Sequence, residues 1–172
     1  MEAILDLFAR EKFDEIVKLS KTIPVEFIGG YRIYIALSYA ELGNHKEAME
    51  TFIELFQYNN TDKTSPTHPL NLVEQGDVIN AYNQLIDHVQ QSRYRGDIEF
   101  LTAVLSLYNG EMQSVPKQLA KIPFSRDTNA LNAIHMWPIF YDFKNNSLMQ
   151  ETLKRIGVAP LALCVHDVCK KN

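Results

Sequence analysis

Cysteine is nearly missing from this chain: two occur in 172 residues, Cys164 and Cys169, both near the end. Two cysteines are not a disulfide framework, and such scarcity fits a reducing, cytoplasmic setting. Basic blocks are missing as well. The net charge is −4, with both signs interspersed, which leaves no electrostatic footprint for nucleic acid and no polybasic membrane anchor. No window holds the ~20 apolar residues of a membrane span. The opening MEAILDLFAREKFDE has acids from residue 2 onward and no long apolar core, unlike a signal peptide. The motifs G-x-S-x-G, P-loop and H-E-x-x-H do not occur. These absences point to a non-catalytic cytoplasmic chain with no cofactor, no nucleic-acid partner and no membrane contact. What is present is ordinary globular usage, 46% hydrophobic and 22% charged. The length suits a single domain, 1–172, with a real core.

The most regular stretch is YRIYIALSYAELGNHKEAMETFIELFQY, Tyr31 to Tyr58. Ala36, Tyr39, Gly43, Ala48 and Phe52 follow the order small, aromatic, glycine, alanine, aromatic. That order predicts two antiparallel helices joined by a tight turn. Gly43 takes the bend, where a Cβ is unwelcome. Ala36 and Ala48 allow the axes to approach, and Tyr39 and Phe52 fill the remaining space. The pattern recurs. Turn positions fall at Glu11, Gly43, Gly76, Gly110 and Lys144, spaced 32, 33, 34 and 34 residues apart. Five residues after each stand Ile16, Ala48, Ala81, Val115 and Met149. Nine after stand Ser20, Phe52, Leu85, Leu119 and Leu153, and twelve after stand Ile23, Leu55, His88, Ile122 and Ile156. Offsets of 5, 9 and 12 share one helix face, and 13 of these 15 positions are apolar. The stretch from Tyr31 to Tyr58 resembles a tetratricopeptide (TPR) repeat, whose unit is ~34 residues of helix-turn-helix. The resemblance implies an all-α fold, a TPR-like α-α superhelix: a short right-handed solenoid of antiparallel helix pairs.

Taken in order, the first unit lacks most of its opening helix. Its second helix, Phe13 to Thr22, stops before Pro24, as the fourth unit's stops before Pro123. The third unit opens with a polar loop, Asn59 to His68, then a short helix from Pro69 to about Gln75, and Asp77 is placed to cap the helix from Val78 to about Gln91. Ser92 to Asp97 reads as a basic exposed turn, whose Arg93, Tyr94 and Arg95 suit either solvent or an acidic partner. Ile98 to Tyr108 and Met112 to Lys121, with Pro116 early in the latter, form the fourth unit. Asp127 or Thr128 caps a helix through Met136, which Trp137-Pro138 breaks, and the tail from Ala159 forms a terminal capping helix.

Pro138, Phe140, Phe143, Lys144, Leu153, Arg155, Gly157 and Val158 match a closing segment of the form P-x-F-x-x-L-R-x-D-P-x-F-x-x-L-L-x-R-x-G-L. The D-P pair is replaced by Asn146-Ser147, which still caps a helix, and the second aromatic by Met149. The segment is similar to the C-terminal TPR parts of bacterial adenylyl-cyclase-like and winged-helix transcriptional regulators, including invasion-island regulators. That likeness implies a regulatory or sensing domain whose DNA-binding part lies outside this chain. The rival is a free-standing cytoplasmic adaptor or secretion chaperone that cradles a peptide.

Candidate chemistry is sparse. Cys164-Val-His166-Asp167-Val-Cys169 groups four potential donors, but no second cluster completes a zinc site. On a helix the two cysteines point about 140° apart. Terminal-helix packing is the plain reading, with a reactive or disulfide pair the alternative. An enzyme would have to be built on Cys164, His166 and Asp167. Glu47, Glu50 and Glu54 read as a solvated face, and His45, His68, His88 and His135 as packed or solvated histidines. The resemblance implies one functional surface, a concave groove lined by opening helices. Ile33, Leu37 and Glu41 in the second unit, and Phe100, Val104 and Tyr108 in the fourth, are the expected partner-binding residues. On that reading Leu37→Asp and Val104→Asp abolish binding of a protein or peptide while preserving helical content. The groove filled by the chain itself, or a homodimer formed through it, is the alternative.

Overall fold

A computed structural model of the chain describes residues 2–24, 29–58, 62–89, 95–122 and 131–157. Cys164 to Cys169, the terminal helix, and the caps expected at Asp127 or Thr128 lie outside the described residues. Every regular element described is helical. The helices are α1 (Glu2–Ala9), α2 (Phe13–Ser20), α3 (Arg32–Glu41), α4 (His45–Phe56), α5 (Pro69–Glu74), α6 (Val78–Val89), α7 (Arg95–Tyr108), α8 (Val115–Leu119), α9 (Leu131–Met136) and α10 (Ser147–Ile156). Short 3-10 turns at Gly29–Tyr31, Met112–Ser114 and Pro138–Phe143 lie between them. No described helix is long and apolar enough to cross a membrane.

The first four expected turn positions share one geometry. Glu11, Gly43, Gly76 and Gly110 all take positive φ, between 56° and 82°. In each, the next amide donates back to the carbonyl five residues earlier: Lys12 to Leu7 at 2.9 Å, Asn44 to Tyr39 at 2.9 Å, Asp77 to Leu72 at 2.8 Å and Glu111 to Ser106 at 2.8 Å. This closure satisfies helix-end carbonyls and needs one left-handed residue, which glycine supplies without steric cost. A Cβ built on Gly43, Gly76 or Gly110 meets no atom within 4 Å, so backbone conformation alone demands glycine there. Lys144 departs from the series. Its φ is −55°, and the chain turns instead through the 3-10 segment, with Asn146 bonding back to Phe143.

The apolar offsets become the core. Ile16, Ala48, Ala81, Val115 and Met149 are all fully buried, as are Phe52, Leu85, Leu119 and Leu153. Ile23 is half-buried, and His88 is exposed. Consecutive helices pack on one another from α1 through α8, and α10 packs on α8. Arg155 of α10 donates to the carbonyls of Ile122 and Ala120, both at 2.8 Å, at the end of α8. A guanidinium suits the negative end of a helix. Asn146 caps α10, its Oδ1 accepting from the Met149 amide at 3.0 Å.

Two expectations need correction. The first unit does have an opening helix: Ile4 and Phe8, four apart, bury one face of α1 completely. Helix α7 starts at Arg95, so Arg95 to Asp97 are helical rather than an exposed turn, and Asp97 is buried. An acid in the first turn suits the helix dipole.

The polar loop before α5 ends on a buried cap. His68 Nδ1 accepts from the Leu70 amide at 3.3 Å, and the ring of Tyr58 lies 5.6 Å from that of His68 and 4.2 Å from that of His88. Burial, then Lys63, holds the His68 imidazole below its ordinary value, with Asp62 opposing. The folded state thus favours neutral His68. Its contribution is complete above the unfolded value of about 6.5 and is lost as pH falls through the lower folded value. Urea unfolding between about pH 7 and 5.5 should show stability falling on acidification. His68→Asn, which keeps a cap, should flatten that slope; an unchanged slope would rule His68 out as its source.

Candidate functional site

The six expected groove residues separate into two groups. Ile33, Leu37, Phe100 and Val104 are buried core, with at most 1% of their surface exposed. They present nothing to a partner, which corrects the expectation of an open groove. The reason is visible in the aromatic packing. Helix α1 lies on α2 and α3 and also reaches α9. Phe8 sits 5.1 Å from Tyr34 of α3 and 5.1 Å from Trp137, edge to face in both cases. Trp137 meets Phe140 at 5.9 Å, and Phe140 meets Phe100 of α7 at 5.8 Å. Rings from both ends of the chain therefore fill the inner side of α3 and α7.

Glu41 and Tyr108 form the second group, and the structure brings them together. Each stands two residues before a turn glycine, at the last turn of its helix. Tyr108 Oη donates to the Glu41 carboxylate across 67 residues of chain. They line a cavity of about 270 Å³ with Ala40, His45, Val78, Ile79, Tyr82 and Leu105. Four helices contribute, all through residues near their glycine-turn ends. Tyr82 reaches the cavity from a buried ring, edge to face with Phe52 at 5.8 Å. Its hydroxyl is buried without a hydrogen-bond partner, as is His45 Nδ1.

The electrostatics of the site are acidic. Burial, then the charge of Glu41, pushes the Tyr82 phenol up. Burial, then the charge and hydrogen bond of Glu41, pushes the Tyr108 phenol up further. Both phenols stay protonated at neutral pH. A second carboxylate is near: burial, then Glu41, raises the Glu11 carboxyl. Glu11 holds a left-handed backbone at 56° where the turns at Gly43, Gly76 and Gly110 use glycine. Among the described residues, neither Glu11 nor Glu41 forms an ion pair with lysine or arginine. Arg10 pairs instead with Asp6 at 3.1 Å, and Lys46 with Glu74 at 2.7 Å.

His45, Val78, Ile79 and Tyr82 were not legible as site residues, because they belong to the second helices of their units, whereas the expected groove is lined by opening helices. The available signal was positional: Glu41 and Tyr108 hold the same place before Gly43 and Gly110. Among the described residues, no three His, Cys, Asp or Glu side chains gather closely enough to hold a metal ion. The chain matches no protein-family model, no curated protein and no solved structure.

Proposed function

We propose that the chain is a non-catalytic protein-interaction module whose partner docks on the face formed by the glycine turns. One observation carries this reading. The exposed large hydrophobics among the described residues are Leu42, Ile79, Tyr108, Met112 and Leu148, each 38–48% exposed. All five lie within four residues of a turn position. Exposed apolar residues scattered singly need no explanation, but two of these, Ile79 and Tyr108, line the cavity, and exposed apolar residues at a cavity mark an interaction site.

The partner is a protein or peptide, or a second copy of this chain. The likeness of Pro138–Val158 to regulator segments supports a setting inside a bacterial transcriptional regulator, and an adaptor or secretion chaperone is the alternative. An immunoblot separates them: a native product several times 19.8 kDa supports the regulator, and a band near that mass supports the adaptor. The docking reading is tested by affinity capture from native cells with wild type and with a Leu42→Asp, Ile79→Asp, Met112→Asp triple variant. The variant should fold normally, since all three sites are exposed, and lose the captured partners. An identical set of partners would overturn the reading. A dimer in sedimentation that the same variant dissociates would make a second copy the partner.

A further inference from the structure

We infer that the cavity under this face receives a lysine side chain from the docking partner, its ammonium meeting Glu41 and its methylene stem lying along Ala40, Val78, Ile79 and Leu105. The inference rests on the docking reading and specifies what the partner must present. Size comes first. Drug-sized ligands use pockets of about 300–1,000 Å³, and 270 Å³ suits one long side chain.

Donor and acceptor chemistry comes next. An ammonium carries three donors and no acceptor. The cavity offers the Glu41 carboxylate and two groups without a hydrogen-bond partner, the Tyr82 hydroxyl and His45 Nδ1, the latter an acceptor in the tautomer that carries its proton on Nε2. Tyr82 is only 3% exposed and lines the same cavity as Glu41 and Tyr108. A buried hydroxyl with no partner is costly, and an incoming N–H satisfies it. The tyrosine rings that line the cavity add a cation–π component.

Charge points the same way. Glu11 stands near enough for the Glu41 charge to act on it, and among the described residues neither carboxylate forms an ion pair with lysine or arginine. The chain as a whole carries a net charge of −4, which favours approach of a basic segment. The exposed Ile79 in the cavity lining suits an apolar residue flanking that lysine.

The probe is acetyl-Leu-Lys-Leu-amide, with the same peptide carrying norleucine for lysine as control. Methyl and aromatic NMR of the whole chain reads Val78, Ile79, Leu105 and Tyr82. The lysine peptide should give saturable shifts at these residues, and the norleucine peptide should bind at least about tenfold more weakly. Glu41→Gln keeps an acceptor for Tyr108 and sits on the surface. It should weaken the lysine peptide by a similar factor and leave the norleucine peptide unchanged. Tyr82→Phe should weaken the lysine peptide several-fold. Equal binding of both peptides, or no saturable shift with lysine, would overturn the inference. So would butylammonium alone binding as tightly as the peptide, which would make the ligand a free amine. In the capture experiment, partners lost by the triple variant but retained by Glu41→Gln would sink the lysine site and leave the docking face standing. Partners retained by both would overturn the docking reading itself.

Discussion

Trp137→Ala is expected to destabilise the chain by about 3–5 kcal/mol, a large part of the 5–15 kcal/mol that holds a typical domain together. Trp137 is among the largest fully buried side chains. It is also the ring through which the two ends of the chain meet. Phe8 approaches it at 5.1 Å from α1, and Phe140 at 5.9 Å from the 3-10 segment. Edge-to-face pairs add about 0.5–1.5 kcal/mol each beyond burial. Truncation removes both pairs and leaves a void against Phe8. Helix α1 has eight residues, far below the length at which an isolated helix holds in water. It therefore persists only while Ile4 and Phe8 are covered. Phe8→Ala should accordingly cost nearly as much, and the two substitutions should not be additive, because they share one contact. Urea unfolding of the two single variants and the double variant measures this. Leu148→Ala, on the surface, should lie within about 0.5 kcal/mol of wild type. A loss below about 1 kcal/mol for Trp137→Ala would mean that the ring cluster does not hold the ends together.

Much of this architecture was legible because it repeats. A positive-φ turn wants glycine, and Gly43, Gly76 and Gly110 announce three turns outright. Apolar residues 5, 9 and 12 positions later must then face inward, and Ala48, Phe52, Leu85 and Leu119 do. Pro24 and Pro138 mark stops, and Asn146 a cap, for equally local reasons. What was not legible depended on contacts distant in sequence. Nothing local in Phe8 says that it will meet Trp137, 129 residues away. The closure it makes turns the expected groove lining into core. Asp97 reads as polar and exposed by composition, yet the helix start at Arg95 carries it inside. The cavity combines Glu41, His45, Tyr82 and Tyr108 from four helix ends. The repeat places Glu41 and Tyr108 alike, two residues before their glycines, but it does not say that His45 and Tyr82 of the second helices join them.

Leu37→Asp tests that closure most severely, and it should unfold the chain rather than merely disable a binding surface. The stripe Ile33, Leu37, Glu41 looks uniform in sequence, four residues apart along one side of α3. In the structure it runs from the core outward: Ile33 and Leu37 are buried, and Glu41 is exposed. Phe100, Val104 and Tyr108 follow the same course along α7. Losing a buried leucine costs about 2–5 kcal/mol on its own. An ionised carboxylate without a partner adds several more, or forces its own protonation. Together these reach or exceed the stability of an ordinary domain. Far-UV circular dichroism should show loss of helix for Leu37→Asp and for Val104→Asp. Tyr108→Phe, at the solvent end of the second stripe, should remain folded, because it removes one hydroxyl and no packing. Native helicity and a native Tm in Leu37→Asp would mean that water reaches Leu37, and that an open groove lies between α3 and α7 after all. Unfolding of Leu37→Asp with survival of Tyr108→Phe would place the boundary between core and surface within a single helical stripe. That boundary is what leaves Glu41 and Tyr108 available to a partner at the turn end.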